Sequence, residues 1–175
     1  MIKRNHLKYF LSVILLSSIV YGSDLEGSRP NIVFFLTDDQ SLFDYTAYGS
    51  EKAPTPITGA FAKESLVFNS AYTAQAICAP SRSTLYSGLY PIKHGCFINH
   101  TAVRSGVKTI PDYLKPLGYD VILAGKSHVK PNSQFSWSEH FHPVPKEVTG
   151  KPRPGIPAGK IEKLFKDADK PFCLM

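Results

Sequence analysis

Three stretches of this chain are apolar with almost no alternation: Asn31-Ile32-Val33-Phe34-Phe35-Leu36, Tyr119-Asp120-Val121-Ile122-Leu123-Ala124 and Pro171-Phe172-Cys173-Leu174-Met175. A strand wetted on one face alternates polar and apolar residues, whereas a strand covered on both faces does not. Such runs, separated by helix signals, predict an α/β fold with a mostly parallel sheet flanked by helices. The last run has no turn or cap after it. The expectation is that the sheet is incomplete at its C-terminal end and that the chain is the N-terminal part of a longer enzyme.

Between the runs, Thr55-Pro56 pairs an N-cap residue with proline at the first helical position. Ile57, Ala60, Phe61 and Leu66 supply an apolar stripe for that helix. Val67–Tyr72 reads as a further strand, followed by a helix from about Pro80 to Tyr86 that Gly88 closes. Residues 88–106 read as loop. Thr109 to Lys115 opens a short helix stopped by Pro116 and Gly118. Residues 130–159 are rich in Pro, Gly and Lys and read as a long irregular segment, and Ile161 to Ala168 as helix.

The N-terminus is of another character. Lys3, Arg4 and Lys8 precede an apolar run from Tyr9 to Val20, and Val20-Tyr21-Gly22 offers a cleavage site. Residues 1–22 are therefore expected to be a signal peptide and residues 23–175 the catalytic part, exported to the periplasm or the extracellular space. The rival reading is an uncleaved anchor, disfavoured because the run is short for a span. The leader takes three basic and no acidic residues with it, so the formal charge of +6 falls to +3. That mild excess, scattered along the chain, suits an anionic substrate and gives no case for nucleic acid. Three cysteines are too few for a disulfide scaffold and odd in number.

The chemistry-bearing residues follow the strand-like runs. Asp38-Asp39 ends the first, and paired carboxylates suit a hard divalent cation, although a lone acidic pair is more often a solvated turn. Cys78-Ala79-Pro80-Ser81-Arg82 puts a cysteine where a helix begins, with Arg82 one turn along. A thiolate there is favoured by unpaired N–H groups and the helix dipole, against the alternative of a buried structural cysteine. Gly125-Lys126-Ser127-His128 ends the run from Tyr119 to Ala124; Lys126 and His128, two apart, can face one anion. A parallel sheet would gather all three motifs at one edge, as a site for a tetrahedral anion. His94, Cys96 and His100 do not have a standard zinc spacing, and His140 and His142 are either substrate-loop residues or merely exposed.

Together these residues resemble the sulfatase family across residues 29–175. Cys78-Ala79-Pro80-Ser81-Arg82 with Gly88 resembles its Cys-x-Pro-Ser-Arg signature. Arg29-Pro30-Asn31-Ile32-Val33 with Asp38-Asp39 resembles its first strand and calcium pair, and Gly125-Lys126-Ser127-His128 its Gly-Lys-x-His motif. The resemblance implies an alkaline-phosphatase-like α/β fold and hydrolysis of sulfate esters or sulfamates on sulfated glycans. It implies that a formylglycine-generating or sulfatase-maturating enzyme oxidises Cys78 to formylglycine, whose hydrate is the nucleophile. Asp38, Asp39 and the modified Cys78 would hold Ca2+, Arg82 would stabilise the hydrate, Lys126 would hold sulfate oxygens and His128 would take a proton. Ser87 to Pro91 and Gly125 to Pro131 look most like the heparan N-sulfatase (sulfamidase) branch. The family completes its metal site and its leaving-group acid further downstream, so the chain is expected to hold half a site. Rival readings are a phosphate or phosphonate ester hydrolase on the same fold and a non-catalytic fragment.

Overall fold

A computed structural model describes residues 27–51, 54–148 and 151–175. The chain divides into two compact units, residues 1–30 and 31–175. Of the first, only 27–30 fall within the described residues, and the expected leader lies outside them. The second carries the sheet and everything that follows.

In chain order the elements are β1 (Ile32–Val33), α1 (Pro56–Ala62), α2 (Cys78–Ser87), α3 (Pro91–His94), α4 (Ile110–Leu114), β2 (Asp120–Ala124), β3 (Glu139–Phe141), β4 (Val144–Val148), β5 (Lys151–Gly155), α5 (Ala158–Asp167) and β6 (Phe172–Leu174). Four strands form one sheet in the order β1-β6-β2-β3, every pair parallel. The last strand in sequence thus lies inside the sheet. Its backbone pairs Cys173 with both Ile32 and Val121. Phe172, Cys173, Leu174, Val121, Ile122 and Leu123 are buried, as unbroken apolar runs require. No helix among the described residues is long and apolar enough to cross a membrane.

The helix that matters most, α2, begins two residues earlier than its sequence signals indicate, at Cys78 itself. It ends at Gly88, whose φ of 68° is the left-handed cap that glycine adopts without a Cβ penalty. Its inner face, with Ala79, Ser83 and Tyr86, is buried, and the Tyr86 ring meets Trp137 edge-on at 5.1 Å and Phe135 at 6.2 Å. The short helix after Thr109 forms as the capping residues dictate: the Asp112 carboxylate accepts from the Thr109 N–H at 2.7 Å.

Five expectations are corrected. The run Asn31–Leu36 forms only the two-residue β1 at the sheet edge, where one neighbour is missing, and its apolar side chains are exposed rather than covered on both faces. Residues 88–106 are not all loop, because Pro91 opens the short helix α3 that Gly95 closes. Val67–Tyr72 is not a strand; Phe68 and Tyr72 stay exposed, so the chain reaches Cys78 along an irregular path rather than from a strand end. The α1 helix forms, but Thr55 does not cap it, because its hydroxyl is engaged with Thr46. The stripe of that helix is uncovered, with Ile57 85% and Phe61 71% exposed. The Pro-rich segment is not wholly irregular. It contributes β3 to the sheet edge, where period-2 alternation is too short to read, and the antiparallel β4–β5 hairpin.

Candidate active site at the sheet edge

The parallel sheet delivers two of the three motifs as expected, since both β1 and β2 run toward the same edge. Beyond β1 the chain stays extended, Phe34 N–H donating to Leu174 O at 2.8 Å, and then turns at Asp38-Asp39. Asp39 turns with φ at 54°. Beyond β2, Gly125 takes φ of 106°, a value open to glycine, and swings Lys126 over the edge. His140 on β3 donates its Nε2–H to Gly125 O at 2.8 Å and braces this bend. The sequence left His140 as a loop residue; pairing of β3 with β2 gives it a structural task.

Four of the predicted side chains meet here. Lys126 Nζ lies 2.6 and 2.9 Å from the two oxygens of Asp38 and 3.6 Å from Cys78 Sγ. Arg82, buried within α2, donates to Lys126 O at 2.8 Å, to Tyr86 Oη at 3.3 Å and to Asp38 Oδ1 at 3.4 Å. One guanidinium thus ties the helix, the β2 edge and the β1 edge together. The Lys126 hydrogen bonds, helped by Arg82, hold the Asp38 carboxyl below its usual range against a smaller opposing effect of burial. The same contact raises the Lys126 ammonium. Burial raises the Tyr86 phenol, which Arg82 partly offsets.

Asp39 completes a group with Asp38 and Cys78 whose ligand atoms all lie within 4.8 Å of one another. Two carboxylates offer oxygens that a hard divalent cation prefers, and the Lys126 ammonium resting on Asp38 shows that the spot attracts a cation. A thiol sulfur is a soft donor and fits poorly, whereas an oxygen at that position would fit. The set suits a hard cation once the sulfur is replaced, and it supplies part of the six to eight oxygens that calcium takes.

His128 stands apart from this cluster. Its Nε2 lies 3.3 Å from Nδ1 of His100, and its own Nδ1 is buried without a partner. Burial and then the charges of Lys126, His100 and Arg82 push its imidazole below the ordinary histidine range, with Asp38 opposing. It is thereby kept neutral near pH 7, the form that accepts a proton. His94 is buried and fixed by Thr84 at 3.0 Å and by the Cys96 N–H at 3.1 Å, and Cys96 is held by Thr101; neither gathers with His100 into a metal group.

Sequence reasoning missed Asn99. Its side-chain oxygen accepts the Ala79 N–H at 2.9 Å, supplying the cap that Ile77 cannot. A 20-residue separation leaves no local signal for such a cap. A cleft of ≈ 720 Å³ opens beside the cluster, its lining including Asp38, Arg82 and Lys126 together with Phe34, Leu36 and Ile156.

The sulfatase family model matches residues 30–168. An ulvan-active sulfatase of Formosa agariphila is 50% identical over 157 residues, which cover 90% of this chain and 31% of that protein. An N-acetylglucosamine-6-O-sulfatase of Bacteroides thetaiotaomicron is 29% identical over 130 residues, 73% of this chain and 23% of its own length. A structure solved in complex with its substrate D-glucosamine-2-N,6-O-disulfate superimposes with TM-score 0.69 at 24% identity, covering 85% of this chain and 34% of that one. That likeness is one of fold, and it places the parallel sheet in the alkaline-phosphatase-like α/β class. The chain therefore spans about a third or less of the length of the relatives it matches. The sulfamidase branch is not singled out. On the match over residues 30–168, the chain belongs to the sulfatase family.

Proposed function

We propose that this chain carries the nucleophile side of a hydrolase that cleaves sulfate esters on sulfated glycans. The observation that carries the reading is the convergence of Cys78, Asp38, Asp39, Arg82 and Lys126 at one sheet edge, in a chain 50% identical to an ulvan-active sulfatase. The net reaction adds water across the S–O bond, returning the sugar hydroxyl and inorganic sulfate.

Cys78 is read as the residue oxidised to formylglycine by a maturation enzyme, which would supply a geminal diol in place of a thiol. Asp38 and Asp39, with an oxygen at position 78, would hold calcium, which would add Lewis-acid polarisation of the sulfuryl group. The protein's own groups do the rest. Lys126 is positioned to hold sulfate oxygens, and Arg82 fixes the Lys126 backbone while adding positive charge from a dry side chain. Neutral His128 accepts a proton. The positive end of the α2 dipole lies at Cys78 and favours an incoming anion. The resemblance of residues 1–22 to a secretory leader supports export, and a mature N-terminus at Ser23 read by mass spectrometry would confirm it.

The test is made by producing the chain with a formylglycine-generating enzyme. The peptide containing Cys78 should appear by mass spectrometry as the aldehyde, and any sulfate released from a sulfated glycan such as ulvan should depend on Cys78. On one aryl leaving group, the sulfate ester should turn over faster than the phosphate ester. An unmodified thiol together with unchanged sulfate release from Cys78→Ala would sink the proposal. A phosphate preference would move the protein to a phosphoryl-transfer role.

A further inference from the structure

Among the described residues three that are not glycine hold φ in the left-handed region: Asp39 at 54°, His128 at 51° and His100 at 67°. Such backbone is strained for a residue with a Cβ and persists where the surroundings impose it, often at functional sites. Asp39 and His128 belong to the site already described. His100 has no part in it so far, yet its ring lies 4.9 Å from that of His128, centroid to centroid.

The turn bearing His100 is fastened on both sides of the site. Asn99 accepts from Ala79 at the start of α2, and Val103 N–H donates to Lys130 O at 2.8 Å just beyond His128. Thr101 closes the turn by donating to Ile98 O at 2.7 Å. The strained conformation of His100 is thus imposed from α2 and from the segment after β2 together.

Two neutral imidazoles in such a contact share one hydrogen, and the arrangement of protons decides which nitrogen of His128 is basic. If His128 carried its proton on Nδ1, that buried N–H would have no acceptor and its desolvation would go uncompensated. If the proton is on Nε2, it is donated to His100 Nδ1, and the buried Nδ1 is a bare nitrogen. Orphaned N–H groups are rarer in folded proteins than under-used acceptors, which favours the second arrangement. His100 is exposed, so its own outer N–H is served by water.

We propose that His100 is a positioning residue for His128: its Nδ1 accepts the Nε2–H of His128 and so fixes the basic lone pair of His128 on the inward-lying Nδ1. The charged and titratable groups facing His128 are Lys126 on its own segment, Arg82 from α2, Asp38 from the β1 edge and His100 from the turn. Among the described residues only His100 lies within hydrogen-bond distance of its ring nitrogens. His100 thereby orients His128 as a carboxylate orients a catalytic histidine, with an imidazole in the carboxylate's place. The consequence for turnover rests on the reading of His128 as a base given above.

The experiment is nitrogen-15 NMR of the full chain with labelled histidines. At neutral pH His128 should show a protonated Nε2 and a bare Nδ1. His100→Ala should release that preference and populate the Nδ1–H form. His100→Asp, an acceptor that also carries charge, should restore Nε2–H and raise the His128 titration midpoint. A wild-type His128 protonated on Nδ1, or a tautomer indifferent to His100→Ala, overturns the proposal. The wild-type spectrum needs no variant, so a poorly folding His100→Ala does not remove the test. In the sulfatase assay His100→Ala should lower kcat by about tenfold or more with KM little changed. Full activity of His128→Ala would instead refute the base reading, and the spectrum alone would then decide the tautomer.

Discussion

Lys126 is asked to do two things with one ammonium. It grips both oxygens of Asp38, yet the proposed reaction needs it free to meet sulfate. A divalent cation on Asp38 and Asp39 would compete with it for the same oxygens, so metal binding and release of Lys126 toward the cleft are coupled. Removing the ammonium should therefore help the metal. Lys126→Met is expected to bind calcium about tenfold more tightly than the parent, a gain of about 1.4 kcal/mol, while losing turnover; calorimetric titration, with Asp38→Asn as the control that abolishes binding, checks this. Weaker binding by Lys126→Met would show that the ammonium belongs to the metal site rather than competing with it. The same substitution should raise the Asp38 titration midpoint, read by NMR. A carboxyl with a lowered folded value contributes stability above its unfolded value, near 3.9, and loses it as pH falls through the folded one. Both side chains are more than a third exposed, so solvent screening keeps that contribution small.

The α2 helix shows how an element can be set up by a residue far from it in sequence. Ile77 precedes it and offers no side-chain oxygen, so Asn99 supplies the missing acceptor to Ala79. Asn99→Ala would leave that N–H unpaired beside Cys78. We expect a loss of about 1–2 kcal/mol in urea unfolding, recovered by Asn99→Asp, which keeps an oxygen and favours the helix dipole. Equal stability of the alanine variant would mean that water replaces the cap. This element also marks how much was readable in advance. The helix, its glycine stop and the motif residues Cys78 and Arg82 follow from local signals. So do β2, β6 and the Thr109–Asp112 capping box, where apolar runs and cap residues act over a few positions. The strand expected at Val67–Tyr72 fails because an apolar run does not say whether a neighbour exists to cover it. Asn99, the His140 brace and the His100–His128 contact were not legible for a related reason. Each is a pairing across 15 residues or more, fixed by how β2, β3 and the turn at 98–101 pack.

Across the whole of residues 31–175, polar chemistry and apolar burial are unevenly matched. The inner strands β6 and β2 are covered, but β1 is an edge strand, and the run from Ile32 to Leu36 is at least 38% exposed at every position. Phe35 is 79% exposed, and Ile57, Phe61, Phe68 and Tyr72 add further bare rings and chains. Monomeric soluble domains rarely leave so many large apolar side chains in water, and an uncovered edge strand invites pairing. The part of the site formed by Asp38 and Asp39 grows from this same strand, so the order of the metal ligands depends on what happens to the face beneath them. The purified chain should therefore bind a hydrophobic dye and associate with rising concentration, as measured by light scattering after size exclusion. Phe35→Lys should reduce both effects without touching Cys78, Arg82 or Lys126. A chain that stays monomeric and dye-silent at all concentrations would show that the β1 face is covered, and Asp38 and Asp39 would then be held as firmly as the residues on β2.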